Sequence, residues 1–445
     1  MRFIVRERIY CFPESAEEEQ MLERAKKELM LPNPEYLLAM KHRGYAGKIS
    51  PHLHFYRDTA LPRGYSSRLV TLFPGAEWRD ETISLAPLGL NFSGSLREYQ
   101  ESSLRSMERY QEGLLCAPCG SGKTVTGLAL IARRDQPALV LVHTKDLLLQ
   151  WQEAVRAFLG LEPGIMGGGK RGVGPVTIGM VQTLQRGISE EERNAFGLVL
   201  VDECHHVPAR TFSEVVQSFP AKYRYGLTAT PEREDGLTEA LHFAMGPQRY
   251  EVKREELQDA GLSLKPRLFW QKTAFQYRYR RDYQKMITAM IGDQARNDLI
   301  ADLASRARDK GRTVLILSSR VAHCDLLGEQ IPGSVVVHGE LTMRARKEAL
   351  EMVREGRRSI LVASSIADEG LDIPSLDTLI MALPFRAKGK GVQRIGRIMR
   401  PMEGKREPFI VDIVDRYIDV LCRQAQERWE RVYCGKVDGV QPSCI

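Results

Sequence analysis

Lys123 and Thr124 close the stretch Leu114-Leu-Cys-Ala-Pro-Cys-Gly-Ser-Gly-Lys-Thr124, in which a short apolar run ends in a turn carrying Gly120 and Gly122. Glycines there remove side chains that would hold a backbone away from an anion. The amide N–H groups of Ala117, Pro118's neighbours Cys119 and Gly120, and then Ser121 and Gly122 are then free to wrap a phosphate. A lysine beside them brings a point charge to terminal phosphates, and a threonine hydroxyl suits the magnesium ion that bridges those phosphates. Ala117 occupies the place of the pattern's usual first glycine, so the loop needs a second site to complete the chemistry.

That second site is Asp202-Glu203, delivered by the apolar run Leu198-Val-Leu-Val201. One carboxylate there suits the magnesium ion, and its neighbour can polarise a water for in-line attack on a terminal phosphate. About eighty residues separate the two stretches, a spacing that fits two strands of one parallel sheet whose carboxyl ends converge on a ligand.

The elements that must position these groups follow from pattern. From Ser95 the chain alternates strand, loop and helix. Leu96-Arg-Glu-Tyr-Gln100 opens a helix, and strands are predicted at 114–117, 138–142, 176–180 and 198–201, the texture of a parallel sheet covered on both faces. A further strand ends in Leu227-Thr-Ala-Thr-Pro231, whose small hydroxyl side chains suit a coupling element, and Arg233-Glu-Asp-Gly236 follows in a turn. The glycine-rich run 166–174 lacks a helix-opening Lys-Thr and reads as a flexible connection. Residues 237–290 have few strand signals and many charges, and read as a connector with helices. Within it Phe275-Gln-Tyr-Arg-Tyr-Arg-Arg281 alternates rings with guanidiniums, which suits a nucleic-acid path through stacking and phosphate pairing but more often marks an amphipathic element with packed rings and solvated arginines.

A second alternating series puts strands at 313–317, 335–338, 360–363, 378–382 and 409–414. It has no phosphate loop. Two of its elements end instead in Ala367-Asp-Glu-Gly-Leu-Asp-Ile-Pro374 and Gln393-Arg-Ile-Gly-Arg-Ile-Met-Arg-Pro401. Arg397 and Arg400 lie three apart on a predicted helix, so both guanidiniums can project from one face and stabilise transition-state charge on a phosphate held by the first sheet.

Composition sets the outer limits. A chain of 445 residues exceeds one core, so two or three domains are expected. Its 64 Lys+Arg against 57 Asp+Glu give a net charge of +7, which permits a polyanionic partner without requiring one. Apolar runs reach only about five to seven residues, far short of a bilayer span. Arg2 and Glu7 charge the first residues, unlike a secretory leader, and the eight scattered cysteines read as thiols in a reducing, cytoplasmic setting, nucleoid-associated in a bacterium or phage. Cys116 and Cys119 have C-x-x-C spacing, yet Cys119 falls inside the phosphate loop and no second pair follows. Cys204, His205 and His206 are adjacent on a strand end and cannot all face one ion, so they read as part of the nucleotide site or its coupling.

Residues 1–95 differ in texture: a charged helix over 14–30, then prolines that break the pattern repeatedly. Lys41-His-Arg-Gly-Tyr45 with His52, His54, Phe55 and Tyr56 interleaves bases and rings, which suits either a grip on a phosphate backbone or the half-solvated edge of a small α+β domain.

With the phosphate loop, Asp202-Glu-Cys-His-His206, Leu227-Thr-Ala-Thr-Pro231 and Gln393-Arg-Ile-Gly-Arg-Ile-Met-Arg400 in order, the chain resembles superfamily 2 helicases, most of all the XPB-like and phage UvsW-like DNA helicases and translocases, from about residue 95 onward. The resemblance implies an α/β protein with two tandem RecA-like parallel-sheet domains: a small α+β accessory domain at 1–95 that binds DNA, a first helicase domain at 96–250, a connector at 251–290 and a second helicase domain at 291–445. It implies that Gln100 reads adenine and that Lys123, Thr124, Asp202 and Glu203 bind and hydrolyse MgATP. Thr228, Thr230 and His206 would couple hydrolysis to movement, and Gly370 with Asp372 would touch the ribose. Arg397 and Arg400 would be arginine fingers with Gln393 beside them. Thr144, Lys145, Gln182, Thr183, Ser319 and Arg320 would contact the strand backbone, and Arg233, Glu234 and Asp235 would assist strand separation. The implied partner is single-stranded, forked or branched DNA, with movement 3′ to 5′ and no membrane. The competing readings are a nucleotide-switched DNA clamp, or the motor subunit of a restriction or defence complex whose protein partner supplies the nuclease.

Overall fold

The computed structural model describes residues 1–445 except 119, 205–208, 230–232, 234, 365–372, 386–395, 397, 400, 434–436 and 443–445. The chain packs as two units, Met1–Lys253 and Arg254–Ile445.

The first unit begins with a four-stranded sheet in the order Ala60–Leu61, Ile9–Phe12, Arg2–Val5, Glu77–Asp80. Against it lies the helix Ala16–Glu28, started by Ser15, whose hydroxyl accepts from the Glu18 amide, and matched to its dipole by three glutamates in the first turn and two lysines in the last. Phe3, Ile9, Leu22, Ala25 and Leu69 are fully or almost fully buried in this core, which continues into Leu237, Ala240 and Phe243. The last three border or belong to the helix Thr238–Met245, so the N-terminal sheet and the larger sheet behind it share apolar packing. Backbone contacts add to that join: Arg63 donates to the carbonyls of Ala221 at 2.6 Å and Lys222 at 2.9 Å. Gly64 approaches the same helix so closely that a Cβ would stand 1.8 Å from the His242 carbonyl oxygen.

The larger sheet has eight strands in the order 170–171, 164–167, 176–180, 138–142, 198–201, 223–228, 112–116, 248–251. The strands from Val176–Met180 to Glu112–Cys116 in that order are mutually parallel. Ala138–Val142 and Leu198–Val201 are buried along their whole length, which is why they read as continuous apolar runs without alternation. The glycine-rich run differs from its reading as a flexible connection. Gly164–Gly167 and Lys170–Arg171 form an antiparallel hairpin on the sheet edge, and Gly168 and Gly169 take φ of 62° and 84°, the left-handed pair that a tight two-residue turn demands.

The second unit holds six parallel strands in the order 267–272, 409–414, 378–381, 314–317, 360–363, 335–337. The reading of 237–290 as a helical connector is half right. Helices Thr238–Met245, Arg254–Asp259 and Tyr283–Ile291 are present, but Gln248–Glu251 and Arg267–Lys272 are strands that edge the first and second sheets respectively. An edge strand buries one face at most, so neither carries the apolar run that announces a central strand. Phe275 is buried and Tyr277 packs beside it, their rings 6.4 Å apart, while the arginines after them are exposed, as the amphipathic pattern predicts; Tyr279 departs from it and is exposed.

Candidate nucleotide and strand-contact site

Three neighbouring strands of the first unit bring the chemistry together. Glu112–Cys116 leads into the phosphate loop, Tyr223–Thr228 ends at Thr228, and Leu198–Val201 delivers Asp202, so all three carboxyl ends lie side by side. Backbone bonds lock the register. The Ala117 amide donates to the Thr228 carbonyl at 2.8 Å, the Cys204 amide to Leu227 at 3.2 Å, and the Asp202 amide to Leu141 at 3.0 Å.

The loop is shaped as the glycines require. Gly120 and Gly122 have φ of 85° and 76°, in the left-handed region that a β-carbon disfavours. A Cβ on Gly122 would also stand 2.6 Å from the Gln100 amide nitrogen. The helix Lys123–Arg134 starts directly behind, placing Lys123 and half-buried Thr124 in its first turn, where amide groups and dipole favour an anion. The Ser121 hydroxyl is buried with no hydrogen-bond partner among the described residues. Ser121 instead uses its carbonyl, which accepts from the Tyr99 hydroxyl at 2.8 Å and from the Gln100 amide at 3.0 Å. Gln100 thus braces the phosphate loop, and its Oε1 accepts from the Arg97 amide at 3.0 Å. Lys123 Nζ lies 3.2 Å from the Ala117 carbonyl and 3.3 Å from Glu203 Oε1.

Asp202 is 4% exposed. Burial, then the adjacent Glu203 charge, pushes its carboxyl above the ordinary carboxylate range, while the Trp151 indole and Lys123 pull the other way. The indole N–H of Trp151 donates to Asp202 Oδ2 at 2.7 Å, and the Glu203 amide donates to Oδ1 at 3.0 Å. Glu203 itself sits at φ 45°, a conformation uncommon for a side chain of its size. The Ala117 and Ser121 amides are not free for a phosphate as the sequence suggests, since they donate to the Thr228 and Pro118 carbonyls at 2.8 and 3.2 Å; an acid pair under burial beside one lysine, next to an orphaned hydroxyl and the first turn of a helix, still has groups that suit magnesium and a nucleotide triphosphate. Thr124 and Asp202 are the residues from which the sequence reading expects the metal's oxygen donors.

Trp151 and Tyr99 escaped the sequence reading. Trp151 lies with Leu148, Val155 and Leu159 on the buried face of the helix Lys145–Leu159, so it reads as ordinary core. The available signal was the indole N–H, which requires a partner once buried. Cys204, beside the acid pair, is wholly buried and its thiol is pushed far up by desolvation.

The proposed strand-contact residues form one group in the first unit. Thr144 caps the helix Lys145–Leu159, its hydroxyl accepting from the Leu147 amide at 3.3 Å, and Lys145 is exposed at its first turn. Gln182, also exposed, donates to the His143 carbonyl at 2.8 Å, so Gln182 and Thr183 stand beside Thr144 and Lys145. Arg233 points inward. It is 8% exposed and grips Asp235 through bonds of 3.0 and 2.6 Å, a lock for the turn and not an open guanidinium. In the second unit Ser319 is exposed and Arg320 precedes the helix Val321–Gln330 without a side-chain capping bond, its guanidinium donating instead to the Gln284 side chain. Cys119, His206, Thr230, Glu234, Gly370, Asp372, Gln393, Arg397 and Arg400 lie outside the described residues.

The basic and aromatic cluster near the N-terminus divides. Phe55 is core and Tyr45 is 74% exposed, while Lys48, His52, His54, Tyr56, Arg57 and Arg210 line a cavity of about 520 Å³. Arg8, 6% exposed, lies at its floor, and burial followed by the Arg57 charge lowers its guanidinium toward about 10.

A family described as type III restriction enzyme, res subunit, matches residues 93–233, and the helicase conserved C-terminal domain matches 295–402. The chain is 27% identical over 365 residues to the DNA 3′-5′ translocase XPB2 of Sulfurisphaera tokodaii, covering 72% of this chain and 82% of that protein. It is 30% identical over 332 residues to the putative DNA 3′-5′ helicase Rad25 of Halobacterium salinarum, spanning 71% of this chain and 54% of that one. Among solved structures, a fragment of a putative HsdR subunit of a type I restriction enzyme from Vibrio vulnificus YJ016 shares the fold at 20% identity and a TM-score of 0.57, over 72% of this chain and 64% of the fragment.

Proposed function

With both motor domains matched in order, this chain is a superfamily 2 helicase of the XPB-like kind, and from that premise we propose that it is an ATP-driven motor on DNA moving 3′ to 5′. The observation that carries the reading is the convergence of the phosphate loop, Thr228 and the Asp202-Glu203 pair on three adjacent strand ends, with Lys123 Nζ 3.3 Å from Glu203 Oε1. The loop amides and Lys123 bind the phosphates, and Thr124 with Asp202 hold magnesium, which supplies charge neutralisation on the terminal phosphate when bound. Arrival of a phosphate offers Lys123 a stronger anionic partner than Glu203. The glutamate is then released to orient a water and take its proton. Gln100, which braces the loop through the Ser121 carbonyl, is the residue assigned to adenine; Thr228, Thr230 and His206 link the site to motion, and Gly370 and Asp372 meet the ribose. Gln393, Arg397 and Arg400 stabilise charge during phosphoryl transfer.

Thr144, Lys145, Gln182, Thr183, Ser319 and Arg320 grip the strand, and Arg233, Glu234 and Asp235 assist strand separation, with Arg233 held by Asp235. Residues 1–95 add an accessory grip through the basic cavity floored by Arg8. Phosphate contacts dominate such a grip, so DNA binding falls steeply with salt and shows little sequence preference. ATP turnover measured with and without single-stranded DNA tests the reading: stimulation is expected, and equal rates sink a motor. Strand displacement on 3′- and 5′-tailed duplexes, run beside triplex displacement, then separates unwinding from duplex translocation.

The match of residues 93–233 to a restriction-enzyme subunit favours one second reading, a motor that works with a protein partner carrying the nuclease. Co-purification followed by mass measurement of the native assembly decides it.

A further inference from the structure

Trp151 joins two parts of the site that the sequence keeps apart. It lies on the helix Lys145–Leu159, whose start is capped by Thr144 and whose first turn exposes Lys145, the residues assigned to the strand. One helical turn and a half further on, the indole is fully buried. Its N–H meets Asp202 Oδ2 at 2.7 Å, and its ring packs on the helix behind the phosphate loop, where a Cβ on Gly127 would stand 2.9 Å from the indole edge. One rigid side chain therefore touches the carboxylate assigned to magnesium and the helix that carries Lys123 and Thr124, from the element assigned to DNA.

The geometry of Asp202 shows what that contact does. Among the described residues its carboxylate has two donors, the indole on Oδ2 and the Glu203 amide on Oδ1. The amide is part of the adjacent backbone and cannot choose a rotamer alone, whereas the indole comes from a distant element and fixes the plane of the carboxylate. Partners of this kind, one bond removed from a metal, orient the ligand and set its affinity. Alternative roles for the ring are weaker. A purely apolar filler at 151 would leave a buried carboxylate oxygen without a donor, at a cost that native cores avoid.

We propose that Trp151 is a positioning residue that holds the Asp202 carboxylate in the orientation magnesium needs, and that it transmits strand contact at Thr144 and Lys145 to the metal and nucleotide site. The inference rests on the assignment of Asp202 and Thr124 to magnesium given above. A shift of the helix Lys145–Leu159 on strand contact moves the indole, and with it the carboxylate. Reciprocity of linked sites then requires that metal-bound nucleotide change DNA affinity by the same factor that DNA changes nucleotide affinity.

The test uses the full chain and a fluorescent ADP, titrated with and without magnesium and with and without an oligothymidine strand. In Trp151→Phe, magnesium-free binding of the nucleotide stays as in the parent protein. The magnesium concentration at half-effect rises about tenfold, and the effect of DNA on nucleotide affinity shrinks toward none. Val155→Ala, a buried loss on the same helix without a polar role, lowers thermal stability but leaves both quantities in place. Should Trp151→Phe fail to fold, benzothienylalanine at 151 keeps the ring shape and replaces N–H by sulfur, and the same shifts are expected. Parent-like magnesium dependence and DNA linkage in these variants overturn the inference. Absence of magnesium-dependent nucleotide binding in the parent protein overturns instead the assignment on which it rests.

Discussion

Asp202 in the first unit and Asp412 and Asp415 in the second are all buried carboxylates in or just beyond strands of a parallel sheet, yet their partners differ in kind. Asp412 receives two bonds from Arg428, at 2.8 and 2.7 Å, and a third from the Tyr433 hydroxyl at 2.7 Å. Asp415 is held by Arg296 at 3.0 and 3.4 Å and by Thr273 at 2.6 Å. Both charges are cancelled in place by a guanidinium. Asp202 has an indole and a backbone amide, and no arginine among the described residues pairs with it. A buried acid matched by arginine has its charge met within the fold; one hydrogen-bonded only by neutral donors, beside a second acid, suits the cation-binding role proposed for it.

The comparison makes opposite demands on two similar substitutions. Asp202→Asn lowers ATP turnover by about 10²- to 10³-fold and leaves unfolding free energy unchanged or slightly higher, because it removes a charge that burial and the adjacent Glu203 already disfavour. Asp412→Asn does the reverse. It strands Arg428 in the interior and lowers stability by about 3–5 kcal/mol. Replacing both partners, Asp412→Leu with Arg428→Met, recovers most of that loss. Denaturant unfolding and steady-state turnover on the same preparations read both effects, and interchanged outcomes would erase the distinction.

A smaller effect distinguishes a third kind of buried polar group. His323 is fully buried, its ring accepting from the Ser318 hydroxyl at 3.0 Å and donating to Asn297 Oδ1 at 3.0 Å, a neutral tautomer with both nitrogens used. Burial, with Arg296 nearby, lowers its pKa to about 3. A histidine depressed in the fold contributes stability that is complete above its ordinary value of about 6.5 and is lost as pH falls toward 3. Lowering pH from 7 to 5 therefore costs about 2 kcal/mol in the second unit, and His323→Gln flattens that part of the profile. The smallest expected effect is at the surface: Arg210→Ala breaks an exposed pair with Glu214 and changes stability by less than about 0.5 kcal/mol.

Both parallel sheets were legible because central strands are buried on two faces and must be apolar throughout. Leu198–Val201 and Ile360–Ala363 show that signal without ambiguity. Gln248–Glu251 and Arg267–Lys272 were missed because an edge strand borrows its definition from the neighbour it pairs with, Glu112–Cys116 in one case and Phe409–Val414 in the other. The hairpin at 164–171 was hidden for a related reason. Its glycines are required by the turn, and glycine richness alone does not tell a tight turn from a loose loop. Arg233 shows the same limit at the level of one side chain: its neighbour Asp235 was visible, but not that it would hold the Arg233 guanidinium in a buried position.

What the chain sequence determined by itself is local chemistry: a glycine turn that bends toward an anion, a lysine and threonine opening the next helix, and two acids at the end of an apolar strand. These depend on residues within one turn or one strand, where covalent spacing controls which groups can meet. Only the tertiary structure decided that Trp151 would serve Asp202, that Gln100 and Tyr99 would brace Ser121, and that Gly64 would admit a helix against the N-terminal sheet. Such partners are tens to hundreds of residues apart, and an indole or a glycine looks the same in any core until packing shows which polar group or backbone it was placed to meet.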